Sequence, residues 1–443
     1  MAFVHPELIE VRYEGTTVGA LAPAAAPGGG PTRFQYDPGW LRRGIELAPF
    51  LLPLSAGSRV FEFRGLRPET FHTLPPTFAD SLPDRFGNRI IDAWMSRQGV
   101  TAADITALDR LAYVGARAMG ALEYRPPRGP SAAEPSILDL AELTVAARAA
   151  IEGRLDDDGN DNDDAATRAA LQTVLQVGTS AGGARPKAVL NVDTATGAFH
   201  SGAFPPREGE TAWLLKFDGV TDERTLAESR QYTRIEYAYA LMAGAAGTEM
   251  AECRLLHEGG RAHFMTRRFD RPAPQTRVHM TTLCGLRALD NDDVGVHDYA
   301  QFFETITTMG LGEDALVEAF RRMAFNVAAV NHDDHTKNHA FLMDAGGTWS
   351  LAPAYDLSYA NVPGHPWMGQ HCMGVDGEFS LITDERMLRL ADRFGIPYAK
   401  RELRRVREAV DAWPDFAAEA GVPADQVAAV AAAQQSIGRG VAE

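Results

Sequence analysis

The chain has 443 residues, with 43 Lys+Arg against 59 Asp+Glu, a formal net charge of −16 and three cysteines. At roughly 150 residues per domain this is room for two or three domains, enough to bury a core without disulfide staples. The ordinary mix of apolar and charged residues excludes a disordered, collagen-like or disulfide-scaffold chain, and the acidic balance speaks against a general binder of phosphate backbones.

No apolar run approaches the ~20 residues of a membrane span, so no membrane association is expected. The N-terminus, MAFVHPELIEVRYEG, has neither a basic n-region nor an apolar h-region and does not read as a secretory signal. Cys253, Cys284 and Cys372 are widely spaced and form no CxxC; free thiols in a reducing cytoplasm are the simple reading.

Taken in chain order, Ile9–Tyr13 and Val18–Ala22 alternate around a glycine turn and predict a hairpin. Phe34–Tyr36 and Arg59–Phe63 are further short strand candidates. Asp84–Gly99 reads as a helix on Ile90, Ile91, Ala93, Trp94 and Met95, and Asp104–Met119 as another. The Pro-rich stretch Arg125–Pro135 marks a boundary. Ile137–Glu152 reads as helical and is followed by the acidic run Asp156–Asp164. That run lacks the pattern of a calcium loop: counted from Asp156, Asp161 stands where the glycine belongs and Thr167 where the glutamate belongs. It reads as a solvated loop.

A helix over 165–177 leads into the small-residue loop Gly178–Ala184. Ala188–Val192 and Ala198–Phe204 read as strands, Thr211–Asp218 as a buried strand ending in a charge, and Leu226–Ala246 as an amphipathic helix. Ala262–Phe269 is a strand candidate before Pro272 and Pro274 break the chain. Beyond residue 297 the periodicity is mainly helical, apart from one hairpin. Strands first and helices later predict an α+β chain: an N-terminal α/β lobe joined to a mostly α-helical C-terminal lobe.

The segment richest in chemistry is NHDDHTKN, Asn331–Asn338, at the end of the predicted helix Asp314–Val330. Strands Ala340–Met343 and Trp349–Ala352, around the turn Asp344–Gly347, then return the chain to Pro353-Ala354-Tyr355-Asp356. A hairpin brings its ends together, so Asp333 and Asn338 should stand near Asp356. Phosphoryl transfer uses this set: one Asp accepts the hydroxyl proton, an Asn gives an oxygen to a metal, and a second Asp holds the metal on the phosphates. Hard oxygen ligands suit Mg2+. The competing readings are a polar helix cap with turn aspartates, and a two-metal phosphohydrolase built on His332, His335 and His339. The plainer role for His335 is a hydrogen bond that braces the loop.

Three further stretches bear on a nucleotide. In GTSAGGARPK, 178–187, glycines such as Gly182 and Gly183 let backbone approach phosphates and Lys187 adds charge, although the stretch is no Walker A and could be an ordinary turn. Thr179 and Ser180 are potential hydroxyl acceptors on it. Lys216 ends the strand WLLKFD, where a kinase-type site uses a lysine on the phosphates paired with a helix glutamate, here Glu236 or Glu228. The alternative is a snorkelling surface lysine. Lastly, FMTRRFDR, 264–271, joins the two lobes and could either offer backbone groups to adenine or be an edge strand.

In this order the motifs resemble the HipA family, the serine/threonine kinase toxins of bacterial type II toxin–antitoxin modules. TFADSLPDRFGNR and DRLAYVGARAMGALEYRP are similar to its N-terminal subdomain, SAGGARPK to its glycine-rich loop, NHDDHTKNHAFL to its N-x-D-x-H-x-K-N pattern and LAPAYDLSY to its metal-binding segment. The resemblance implies a two-lobed protein-kinase-like fold with an extra N-terminal subdomain over 1–125, the remainder of the N-lobe over 126–272 and a helical C-lobe over 273–443. It implies Asp333 as catalytic base with His335 beside it, Asn338 and Asp356 as Mg2+ ligands, Lys216 on the phosphates of ATP, and Phe269 in an adenine-contacting linker. Ser180, or Thr179 nearby, matches a site whose autophosphorylation ejects the loop. Arg267 stands where relatives often carry Glu, and the proline of ARPK also departs from many members, so the linker contact and loop mobility should differ. The implied function is phosphorylation of a translation-related target, glutamyl-tRNA synthetase being the precedent, with growth arrest as the outcome. A HipB-like helix-turn-helix antitoxin would inhibit the chain and carry most of the operator DNA binding. Two alternatives stay open here: a small-molecule kinase of the aminoglycoside-phosphotransferase kind, and a catalytically silent corepressor.

Overall fold

The computed structural model describes residues 3–24, 30–83, 85–130, 138–151, 186–219 and 231–436. The acidic run, the helix expected over 165–177, Glu228 and the loop residues Thr179, Ser180, Gly182 and Gly183 lie outside the described residues.

The first sheet is antiparallel and built from β1 (Ile9–Tyr13), β2 (Thr16–Ala22), β3 (Arg33–Tyr36), β4 (Phe61–Glu62) and β5 (Leu122–Arg125), in the order β4-β3-β2-β1-β5. In β1 the residues Ile9, Val11 and Tyr13 are buried, while Glu10 and Arg12 alternate with them. The connection to β2 is the pair Glu14-Gly15, both at positive φ (45° and 73°), the twist that a tight hairpin favours. Helices Arg85–Ser96 and Ala107–Val114 complete this subdomain. The second starts in a capping box between Thr106 and Asp109 and stops at Gly115, so it is shorter at both ends than the apolar pattern predicts. Phe34, Trp40, Phe78, Ile90, Leu111 and Tyr124 share one core with β1 and β2.

The second sheet is also antiparallel: β6 (Lys187–Asp193), β7 (Phe199–Ser201), β8 (Glu210–Lys216), β9 (Cys253–Glu258) and β10 (Arg261–Arg267), in the order β7-β6-β8-β10-β9. The edge-strand alternative for FMTRRFDR therefore fails, because β10 is flanked by β8 and β9. β9 escapes sequence reading because its residues are only half-buried and give no apolar run. Helix Leu140–Ile151 packs Leu143 and Ala147 against Leu190, Trp213 and Leu215. Helix Tyr232–Ala245 packs on β9 and β10 and sends Ile235, Tyr239 and Met242 into the core of the next lobe.

In that lobe the expected hairpin, β13 (Ala340–Met343) with β14 (Trp349–Leu351), has a third strand: β11 (His279–Thr282) pairs with β13. A short parallel contact joins β12 (His297–Asp298) to β15 (Met373–Gly374). Helices Leu283–Arg287, Tyr299–Thr308, Glu313–Ala328, Asp384–Arg393, Ala399–Asp411, Trp413–Ala420 and Ala424–Ser436 pack around these strands. Phe302, Phe320, Met323, Val327 and Trp413 form their common core. Among the described residues no helix is long and apolar enough to cross a membrane.

The N-terminal subdomain is fastened to this lobe by Asp80. Its carboxylate accepts from the Thr282 backbone N–H at 2.7 Å and from the Thr281 and Thr282 hydroxyls at 3.0 and 2.9 Å. Gly285 lies against the same carboxylate; a Cβ there would come within 2.1 Å of an Asp80 oxygen.

Candidate active site

The loop that carries Asp333 begins where helix Glu313–Ala328 ends. Val330, at φ 61°, turns the chain out of helical geometry. Asn331 Nδ2 donates to Asn326 Oδ1 at 2.9 Å, Asn326 Nδ2 to the Tyr299 hydroxyl at 2.9 Å, and that hydroxyl to Asp334 Oδ2 at 2.8 Å. Asp334 is fully buried and also pairs with His371 Nδ1 at 3.0 Å and accepts the Cys372 backbone N–H at 2.8 Å. Burial pushes its carboxyl up, but the His371 ring and these hydrogen bonds outweigh that and hold it below the usual range. Asp334 is thus spent on holding the loop. Asp333 is different: its side chain is 45% exposed. Asn338 Nδ2 donates to the Asp333 backbone carbonyl at 2.8 Å, and its amide oxygen remains an acceptor.

The hairpin then returns the chain. Arg322, buried in the helix before the loop, donates to the Ala352 carbonyl at 2.7 Å, and Ala354 N–H donates to Glu249 O at 2.7 Å. The Tyr355 hydroxyl donates to Lys337 O at 2.6 Å, tying the returning strand to the Asp333 loop. Asp356 follows at φ 57°, a left-handed conformation that Asp tolerates better than most residues. Its Oδ1 and Glu236 Oε1 both accept from the Lys216 ε-ammonium. Burial alone would lower the Lys216 pKa, but the carboxylates of Asp356 and Glu236 raise it well above the usual range. For Asp356, burial acts upward, and Lys216 with Lys187 holds it far below the usual carboxylate range. Lys187 sits on β6 directly opposite Lys216 on β8 and is itself buried.

Of the residues named from the sequence, Lys187, Lys216, Glu236 and Asp356 are therefore together, with the loop carrying Asp333, His335 and Asn338 next to them. These residues fit a magnesium nucleotide. The donor set is hard oxygen, from the Asp356 carboxylate and the Asn338 amide, and two ammonium groups stand beside that carboxylate where phosphates would need positive charge.

The three histidines do not converge. His332 Nδ1 meets the Met368 carbonyl at 3.0 Å, and His339 packs against Phe302 at 4.5 Å between ring centres. Among the described residues no group of three or more His, Cys, Asp or Glu side chains could hold a metal ion. The phosphohydrolase reading has no geometric support. His335 also departs from its expected bracing role: its Nδ1 has no hydrogen-bond partner among the described residues, and its Nε2 lies 3.9 Å from Asp333 Oδ1. The loop is braced by Asp334 and His332 instead.

Phe269 follows β10 and packs on Tyr355 at 5.8 Å between ring centres. The backbone N–H groups of Arg267 and Arg268 are already donated to Glu252 O and Ala212 O, so those two are not offered to a ligand. The Arg267 side chain pairs with Glu252 at the surface, at 3.1 Å. Sequence reading missed the neighbouring network. Asp270 is fully buried and accepts from Arg268 Nε at 2.9 Å, Arg271 Nη1 at 2.8 Å and the Gly120 backbone N–H at 2.7 Å. It also missed Trp367, whose Nε1 donates to Asp333 Oδ1 at 2.8 Å. A single Trp in the Gly- and Pro-rich stretch GHPWMG is the only sequence signal there.

The family model for the HipA N-terminal domain matches residues 9–125, and the model for the HipA-like C-terminal domain matches residues 179–414, more than half of the chain. The chain belongs to the HipA family. Shewanella oneidensis HipA, solved with HipB and its operator DNA, is similar over 97% of this chain and 95% of its own, at 17% identity and a TM-score of 0.63. The HipA fold, two-lobed and kinase-like α+β with an added N-terminal subdomain, is thus shared across a wide sequence distance. A Helicobacter pylori proinflammatory kinase, CtkA, aligns over 51% of this chain and 91% of its own, at 10% identity and a TM-score of 0.30, a likeness too loose to define a fold. None of the curated proteins matches this HipA chain.

Proposed function

We propose that the chain is an ATP- and Mg2+-dependent protein serine/threonine kinase of the HipA type. The observation that carries this reading is the Lys216–Glu236–Asp356 cluster, with the loop that bears the exposed Asp333 tied to the strand leading into Asp356 by the Tyr355–Lys337 hydrogen bond. A strand lysine, a helix glutamate, a metal-binding aspartate after a hairpin and a loop aspartate with an Asn five residues on are the parts that phosphoryl transfer to a hydroxyl requires.

In this reading Lys216 and Lys187 take the phosphates of ATP, with Gly182 and Gly183 supplying backbone donors, and Phe269 lies along the adenine side. Asn338 and Asp356 hold Mg2+, which when bound neutralises the charge on the phosphate oxygens. Asp333 accepts the proton of the acceptor hydroxyl as its oxygen bonds to the γ-phosphorus; the bond from that phosphorus to the bridging oxygen breaks, and ADP leaves with the electron pair. Lys216 has a double use: it neutralises Asp356 and Glu236 before the nucleotide arrives and pairs with phosphate afterwards.

The family membership supports a toxin role, with a translation-related acceptor such as an aminoacyl-tRNA synthetase, and Ser180 or Thr179 as the autophosphorylation site. Shewanella HipA was solved with HipB and operator DNA, which supports a HipB-like antitoxin as partner here. The net charge of −16 suits a chain that reaches operator DNA through that partner.

The test is transfer of label from γ-labelled ATP with Mg2+ to the protein itself, followed by phosphosite mass spectrometry. Wild type should label on Ser180 or Thr179, and Asp333→Ala should not. Equal labelling of the two proteins overturns the mechanism.

A further inference from the structure

A second segment closes over the Asp333 loop. Residues 360–372 are tied to that loop at both ends. On one side Ala360 N–H donates to Val330 O at 3.2 Å and His332 N–H donates to Ala360 O at 2.9 Å. On the other, Cys372 N–H donates to His332 O at 3.1 Å and His371 pairs with Asp334 at 3.0 Å. Between the ties the segment is locked on itself. Val362 N–H donates to Met368 O, His365 N–H to Val362 O and Gly369 N–H to His365 O, at 3.0, 3.0 and 2.9 Å. His365 Nδ1 accepts the backbone N–H groups of both Trp367 and Met368 at 3.1 Å. A Cβ on Gly369 would stand 2.6 Å from the His365 carbonyl, so the close turn there depends on glycine.

What this construction presents is the Trp367 indole. Its N–H reaches Asp333 Oδ1 at 2.8 Å, and His335 lies 3.9 Å from the same oxygen. A carboxylate accepts on both oxygens. With Oδ1 taken up on the protein side, Oδ2 is the oxygen left for an incoming hydroxyl. An unheld, half-exposed Asp would sample several rotamers, and only a fraction would meet the acceptor in line with the γ-phosphorus.

We propose that Trp367 is a positioning residue for Asp333: its indole N–H fixes the carboxylate so that Oδ2 faces the acceptor hydroxyl. This rests on the kinase reading above. The role belongs to the transfer step and not to nucleotide binding, because the Trp367 side chain hydrogen-bonds to Asp333, while Lys216 is paired with Glu236 and Asp356.

The experiment compares wild type, Asp333→Ala, Trp367→Phe and Trp367→His, each with ATP and Mg2+. It reads the single-turnover rate of label transfer to the chain at saturating ATP, and the ATP concentration giving half that rate. Trp367→Phe keeps a ring but removes the donor; its maximal rate should fall on the order of tenfold, the worth of one hydrogen bond to a charged group, with half-saturating ATP unchanged. Trp367→His restores an N–H and should recover most of the rate. Wild-type rate in Trp367→Phe, equal loss in Phe and His variants, or a change confined to ATP half-saturation each overturns the positioning role. Should Trp367→Phe fail to fold, Trp367→Gln takes its place: a rate kept by both Gln and His supports the N–H, and a rate lost by both overturns it. If wild type transfers nothing, or Asp333→Ala transfers as fast as wild type, the kinase reading itself falls and the positioning role with it.

Discussion

Lys216, buried on the second sheet, and Asp356, half-buried after the hairpin of the next lobe, stand 140 residues apart in the chain and form an ion pair. Glu236 completes the triad from a neighbouring helix. Two carboxylates sharing one buried ammonium make each charge depend on the others.

Removing the cation should therefore cost more than removing the cluster. Lys216→Met leaves the buried Glu236 carboxylate and the half-buried Asp356 carboxylate without their shared cation and should destabilise the protein by about 3 kcal/mol. Lys216→Met combined with Glu236→Gln should recover part of that stability while phosphoryl transfer stays absent. Urea unfolding of the three proteins, with the transfer assay, gives the coupling directly. Purely additive losses would show that the two side chains do not depend on each other.

Asp270 poses a similar problem away from the reaction. It neutralises Arg268 and Arg271, both buried, and caps the Gly120 N–H of the N-terminal subdomain. Asp270→Ala should cost roughly 3–5 kcal/mol, because two buried guanidinium groups lose their counter-charge. A loss below about 1 kcal/mol in urea unfolding would contradict a buried network.

Acid should weaken the fold before the carboxylates titrate. Burial lowers His72, His279 and His332 from 6.5 to about 4 in the folded state. Between those limits the unfolded chain binds more protons than the folded one, so stability falls as pH drops through that window, by about 1.4 kcal/mol per pH unit for each proton. The urea midpoint should decline steadily from pH 6.5 to 4.5 and be level just above it. His279→Gln should make the decline shallower. A midpoint that is flat or rises on acidification through this range is the contrary result.

Nucleotide and metal should stabilise together. With ATP and Mg2+ at a hundred times the dissociation constant, stability should rise by about 2.7 kcal/mol. Chelating Mg2+, or replacing Asn338 by Leu, should remove most of the added shift in melting temperature. An equal shift with and without Mg2+ would argue against Asn338 and Asp356 as metal ligands.

Much of the fold was legible because its cues are local. The β1–β2 hairpin shows in the alternation of β1 and the glycine turn after it, helix Glu313–Ala328 in its three- and four-residue apolar steps, and the hairpin before Asp356 in two short apolar strands around Asp344–Gly347. What stayed hidden has no local cue. β9 is mostly half-buried, and β11 has no strand partner until the fold brings β13 beside it.

The same division runs through the candidate site. By itself the sequence determined that Asp333, Asn338 and Asp356 flank one hairpin, because two antiparallel strands must return the chain to where it left. It also nominated Lys216, though only beside the other kinase-type motifs, since a lysine closing an apolar strand could equally snorkel to the surface. Only the tertiary structure decided that Glu236 and Asp356 both meet that lysine, that Asp334 is consumed by Tyr299 and His371 while Asp333 stays open, and that Trp367 reaches Asp333. Each of those is a contact between distant segments. A hydrogen bond or ion pair forms only within about 3 Å, and no periodicity in the chain encodes which distant atoms come that close.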